Sequence, residues 1–228
     1  MQLKRSFTTI ALGVLSLMAL VSVSEAHCSM RTPCPRGSPV RDVCPNASNG
    51  QEPDYNINTP IGKHGSKDFP LCKNTYVQNQ RTVVRAGKSL QTTYSVGASH
   101  GGGHCQWALS YDGGKTWAVV HTVIRECLKN ISNGQPYSVS VPIPKNAPNG
   151  KATFMWLWNN AIGNRELYSN CADIEIKGGS NARQFKGVAP LIANYGSDSP
   201  LIGEFPQPGD DDKRELFAKR KPVTLRVR

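Results

Sequence analysis

The chain has only one long apolar run, and it lies at the very start. Past residue 26 no apolar stretch is long enough to cross a bilayer, so a soluble product without a membrane anchor is expected. Basic residues outnumber acidic ones, 27 to 16, yet they neither cluster nor interleave with aromatics as they do in nucleic-acid modules. No nucleic-acid partner is expected, and the charge reads as solvation with attraction to an anionic cell wall. The sequence offers no convincing carboxylate pair of the kind that hydrolyses glycosidic bonds. Between residues 82 and 177 it lacks a helical period.

What is present begins with a leader. Lys4 and Arg5 precede the apolar run Ile10 to Val23, and Ser24-Glu25-Ala26 supplies small residues where a signal peptidase reads. Residues 1–26 are therefore expected to be a signal peptide, cut between Ala26 and His27, with a secreted, extracellular product. Cleavage leaves 202 of the 228 residues and a formal charge of +10, from 25 basic and 15 acidic side chains. All 7 cysteines lie beyond the cut, which suits disulfides in an oxidising compartment. Their odd number leaves one over. Asn46-Ala47-Ser48 and Asn130-Ile131-Ser132 are sequons, so Asn46 and Asn130 are candidate glycosylation sites.

Residues 27 to 75 are rich in proline, which fixes φ and removes a donor, so they read as loop stapled by cysteines. From Thr82 short segments rich in β-branched and aromatic residues follow one another. They are Thr82 to Val84, Ser89 to Val96, Cys105 to Tyr111, Trp117 to Ile124, Tyr137 to Ile143, Lys151 to Trp158 and Cys171 to Ile176. Asp112-Gly113-Gly114 is a hairpin signal and Asn149-Gly150 another turn. The pattern predicts an all-β fold, an antiparallel immunoglobulin-like or fibronectin-like β-sandwich with long loops over residues 27–177. Trp156 and Trp158 have same-face core spacing within it. Residues 178–228 carry proline, glycine and blocks of like charge, and read as a poorly ordered C-terminal tail.

The chemistry starts at His27. A histidine at a free amino end presents its α-amine and a ring nitrogen to one metal, with no loop to close. The amine has a pKa of about 8, so its deprotonation on binding costs little. A second imidazole would complete three nitrogen ligands in a T, a set that favours copper(II), one ion per chain. Four histidines could supply it. His121 sits in a strand-like run and reads as structural, and His64 in a polar loop reads as solvated. His100 and His104 flank Gly101-Gly102-Gly103, a run that gives a loop freedom and low relief.

Three ordered segments carry a family resemblance. They are Gly97-Ala98-Ser99-His100-Gly101-Gly102-Gly103-His104-Cys105-Gln106, the stretch from Gly150 to Ala172 that includes Trp156-Leu157-Trp158-Asn159-Asn160 and Arg165-Glu166-Leu167-Tyr168, and Ser66-Lys67-Asp68-Phe69-Pro70-Leu71-Cys72-Lys73. Together with His27 they resemble the lytic polysaccharide monooxygenases, most of all the chitin-active, fungal-type auxiliary activity family eleven. The resemblance implies copper ligands His27 and His100, with Tyr168 as a protonated axial phenol. It implies Glu166 as the carboxylate that handles protons, Arg165 as the cation beside it, and Ala98 crowding the solvent-facing axial side. Glu166 and Tyr168 lie two apart, which on a strand puts them on one side. Bridges Cys105–Cys127 and Cys72–Cys171 are implied as well. One more is expected among Cys28, Cys34 and Cys44, where the sequence leaves the choice open and Cys34–Cys44 is the pairing adopted. Cys28 beside His27, and His104 where the family has a small polar residue, depart from the pattern. They make a nearby thiol and an alternative ligand conceivable.

The function implied is oxidative cleavage of an insoluble β-1,4-linked polysaccharide by a monomer, with chitin the expected substrate and cellulose the alternative. It needs an external electron donor and hydrogen peroxide or dioxygen. Two rivals are a secreted copper-binding protein without turnover and a chitin-binding module without oxidative activity.

Overall fold

The computed structural model describes residues 27–45 and 50–227. The expected signal peptide and the sequon at Asn46 lie outside the described residues.

Strands dominate. They are β1 (Cys28–Thr32), β2 (Gly62–Lys63), β3 (Ser66–Lys67), β4 (Thr82–Arg85), β5 (Ser89–Val96), β6 (Gly103–Ser110), β7 (Ala118–Val123), β8 (Tyr137–Pro142), β9 (Gly150–Asn160), β10 (Glu166–Lys177), β11 (Gln184–Val188) and β12 (Pro222–Arg226), with one short helix, α1 (Glu215–Ala218). β1, β5 and β8 form a small antiparallel sheet. The large sheet runs β3-β2-β10-β9-β6-β7, with β4 added beside β10. The expected antiparallel sandwich is present with one parallel exception, the β4–β10 pair. β1 also lies inside the stretch expected to be loop; it pairs with β5 as an edge strand and ends just before Pro33.

The inner faces meet in a core. Met30, Tyr94, Val96 and Val141 from the small sheet pack on Trp107, Phe154, Trp156, Trp158, Tyr168 and Ile174 from the large one. Trp156 and Trp158 stack with ring centroids 6.3 Å apart, as same-face neighbours on β9 should. The Tyr94 hydroxyl accepts from Trp107 Nε1 (2.7 Å) and donates to Thr92 (3.0 Å), so the buried polar ends are satisfied.

β9 is buried on its outer face too, as the apolar run Phe154 to Trp158 requires. There Met155 and Leu157 meet Ile61, Trp117 and Leu167. The long N-terminal loop supplies this cover. Arg36 crosses it to form a paired contact with Asp173 of β10 (2.7 and 2.9 Å), both side chains 1 % exposed. Cys72–Cys171, Cys105–Cys127 and Cys34–Cys44 are disulfide-bonded, and Cys28 is the free cysteine among the described residues.

The tail corrects the sequence reading. Residues 178–227 contain β11, α1 and β12, and bury Ala193, Ile202, Phe205, Phe217 and Leu225. Its apolar residues are widely spaced and show no local period, which is why composition reads as disorder; in the fold Ala193, Ile202, Phe205 and Phe217 cluster with Ala161 and Ile124. They succeed by docking on a partner surface that the sequence does not place beside them. Gln106 exchanges two bonds with Leu191 (2.8 and 2.9 Å), and Arg220 reaches Gln106 and Thr122 (3.2 and 2.9 Å).

Candidate metal centre

One end of the sandwich gathers the starts of β1, β6 and β10 and the ends of β5 and β9. His27 precedes β1. Its carbonyl accepts from the N–H of Gly97 (2.7 Å), and a side chain at Gly97 would lie 3.2 Å from the His27 Cβ. The chain at His27 is thereby fastened three residues before His100.

His100 occupies the β5–β6 loop with φ +46°. Its Nδ1 pairs with the carbonyl of Ile162 at 2.8 Å. A carbonyl only accepts, so Nδ1 carries the proton and Nε2 keeps the lone pair. That Nε2 is buried and has no hydrogen-bond partner among the described residues. A buried imidazole nitrogen left bare, with its opposite nitrogen held by a backbone carbonyl, is the arrangement of a metal-ligating histidine.

The glycine run is close-fitting where freedom was expected. A Cβ at Gly103 would sit 2.0 Å from the Asn159 carbonyl and 2.6 Å from Trp158 Nε1. Glycine is needed there for close backbone approach. Gly163, at φ +91°, likewise presses on His100, since a Cβ would come within 2.9 Å of Nδ1.

β10 brings Glu166 and Tyr168 to one side. The phenol donates to Glu166 Oε2 at 2.7 Å, and the Tyr168 ring lies 4.7 Å from that of Trp158, which in turn is 6.4 Å from His100. Glu166 is only 7 % exposed and also accepts from Asn160 Nδ2 and Asn164 Nδ2, each at 3.3 Å. Asn160 has a role that reading the chain did not assign. Its amide ties Ile162, Asn164 and Glu166 together, and its oxygen accepts from the Glu166 N–H (3.1 Å). Four bonds at one fully buried amide mark it as the keystone of the β9–β10 turn. Its only trace in the sequence is its place inside the Gly150 to Ala172 segment.

Arg165 is oriented otherwise than expected. Its bonds go to the carbonyls of Gly163, Asn160 and Gly203, each at 3.0 Å, so it acts on Glu166 through its field alone. Burial lowers its pKa from the ordinary guanidinium value, and the charges of Glu204 and Glu166 offset this in part. Ala98 is half-buried, and its carbonyl accepts from the Cys28 thiol (3.3 Å). Burial pushes that thiol up to about 12, which keeps it neutral.

His104 is committed elsewhere. Its Nδ1 accepts from the Arg125 N–H (3.0 Å), its Nε2 meets the Asp212 carbonyl (2.9 Å), and Phe205 stacks on its ring at 4.6 Å. Both nitrogens are used, so it does not serve as an alternative ligand. His121 lies against Trp107 at 5.2 Å and His64 is exposed. The second sequon residue, Asn130, is exposed in the β7–β8 loop. Among the described residues no three His, Cys, Asp or Glu side chains gather into a metal-holding group. A brace of two imidazoles and an amine needs no such group.

Comparison with known proteins supplies further findings. The chain is 35 % identical over 189 residues to AA11 family lytic polysaccharide monooxygenase A of Aspergillus fumigatus, across 79 % of this chain and 80 % of that one. It is 32 % identical over 222 residues to lytic polysaccharide monooxygenase B of the same species, across 83 % of this chain and 49 % of that one. An AA11 enzyme of Aspergillus oryzae is 33 % identical over 189 residues, across 75 % of this chain and 41 % of its own length. This chain thus spans about half the length, or less, of the latter two. Among solved structures a cellulose-active polysaccharide monooxygenase from M. thermophila aligns with TM-score 0.47 at 15 % identity, over 70 % of this chain and 82 % of that one. No family model matches.

Proposed function

Because the chain belongs to the AA11 family of lytic polysaccharide monooxygenases, and so to enzymes that cleave polysaccharide oxidatively, we propose that it is a secreted, monomeric copper enzyme acting on chitin. The observation that carries the reading is His100, with Nδ1 fixed by Ile162 and Nε2 buried without a partner.

His100 Nε2, the His27 ring and the amine released when the leader is removed would hold one copper ion, with Tyr168 alongside. Bound copper would supply one-electron redox chemistry toward hydrogen peroxide or dioxygen. The protein contributes position and proton handling. The Tyr168 phenol donates its hydrogen bond to Glu166 Oε2, and a phenol that carries its proton would be a weak ligand. Asn160 and Asn164 hold the Glu166 carboxylate in place for proton transfer. Ala98, half-buried at the site, would limit approach to the ion from solvent. The buried Trp158 ring keeps water from the inner side of the site. A flat polysaccharide face would lie over the loop ends, where Ile162 stays 37 % exposed and offers an apolar contact to a pyranose ring.

The test incubates protein beginning at His27 with chitin, a reductant and hydrogen peroxide, then looks for oxidised oligosaccharides. They are expected from the parent and not from His100→Ala. Copper binding without product would leave a copper carrier, and adsorption without copper a binding module. Either outcome contradicts the enzyme reading on chitin.

A further inference from the structure

The tail reaches the candidate metal centre with three consecutive residues. The carbonyl of Gly203 accepts from Arg165 Nη1 (3.0 Å), the Glu204 carboxylate accepts from the Gly163 N–H (2.7 Å), and the Phe205 N–H donates to the Ala161 carbonyl (3.1 Å). All three bonds fall on the β9–β10 turn. That turn is the mould for the His100 ring. The Ile162 carbonyl accepts from Nδ1–H and the Ile162 N–H donates to the His100 carbonyl (3.0 Å), while Gly163 lies against the ring.

Of the three contacts, only Glu204 acts through a side chain. A carboxylate on a backbone N–H is a charge-assisted bond, stronger than a neutral one. Within the turn Asn160 holds the Ile162 carbonyl and Arg165 the Gly163 carbonyl. The Gly163 N–H, beside the imidazole at a left-handed φ, is held from outside the turn by Glu204, 41 residues downstream.

We propose that Glu204 is a positioning residue for His100, so that the C-terminal segment forms part of the metal centre. The proposal rests on the reading of His100 as a copper ligand. Glu204 is not in the proposed ligand set; its carboxylate is engaged by the Gly163 N–H. It acts by fixing the orientation of the ring before copper arrives. It is exposed, so its truncation leaves the apolar core intact.

The experiment uses the full chain processed at His27, as parent, Glu204→Ala, Glu204→Gln and His100→Ala. Copper(II) affinity is read by titration calorimetry and ligand geometry by electron paramagnetic resonance. Ring 15N signals are read in the metal-free proteins. Glu204→Ala is expected to weaken copper binding about tenfold, as loss of an outer partner commonly does, and to alter the hyperfine pattern. The metal-free His100 ring, a fixed Nδ1–H tautomer in the parent, becomes a mixture. Glu204→Gln restores most of all three, because an amide oxygen still accepts from Gly163. Parent-like behaviour of Glu204→Ala overturns the proposal, and so does a Gln variant no better than Ala. Tight copper binding by His100→Ala defeats the ligand assignment instead, and the 15N comparison still decides the role of Glu204.

Discussion

At the scale of single residues the site divides labour between atoms that bind and atoms that hold. The carboxylate of Glu166 has three donors on it and is 7 % exposed, an environment that fixes its geometry tightly. If it moves protons without binding metal, Glu166→Gln should keep copper affinity within about threefold and the Tyr168 contact intact, while turnover falls at least about 10²-fold. Steady-state rates with peroxide, set beside copper titration, check this split. Equal losses in both would assign Glu166 to the ligand set. Much at this scale is legible from the chain, since Glu166 and Tyr168 two apart on a strand must share a side. Asn160 and Glu204 are not. Asparagine in a turn has many uses, and a contact bridging 41 residues leaves no local pattern.

At the scale of elements, β-branched and aromatic residues with turn residues between them mark β5, β7, β8 and β9 in the sequence because each needs only its own stretch of chain to declare itself. The loop that covers the outer face leaves no such mark. Its hold is long-range, through Arg36 on Asp173 and Cys72 on Cys171. β6 carries a further consequence at His104. Burial, the main cause, brings this imidazole from 6.5 down to about 4, and its two bonds require the neutral ring. The unfolded chain takes up that proton near pH 6.5 and the folded chain does not until about pH 4. Stability should therefore fall as pH drops through that window and level off below it. At about 1.4 kcal/mol per unit, the loss is on the order of 3 kcal/mol. Asp212 opposite, held down to about 2 first by its bond from Arg214, stays ionised throughout. Denaturant titrations between pH 4 and 7 test this, with His104→Gln expected to lose the slope. An equal slope in the variant would place the effect elsewhere.

At the scale of the molecule, the sandwich and its tail are one structure. Ile202, Phe205, Phe217 and Leu225 are buried, and at about 1.5–3 kcal/mol per large side chain their docking is a sizeable share of a marginal stability. A chain ended at Lys177 should melt well below the parent and expose the outer face of β6 and β9, seen by calorimetry and dye binding. A truncated chain with parent-like melting would return the tail to the status of appendage. Among the described residues no helix is long and apolar enough to cross a membrane.

A copper site of this kind requires an amine made by proteolysis to join His100 at one ion. Copper titration of protein starting at His27, set against protein bearing one additional residue ahead of it, asks this directly. Binding tighter by at least about 10²-fold for the first is the predicted result, since a peptide nitrogen in place of the amine removes one of three nitrogens and its chelate. Equal affinities would mean that the metal, if held at all, is held by something other than the amino end.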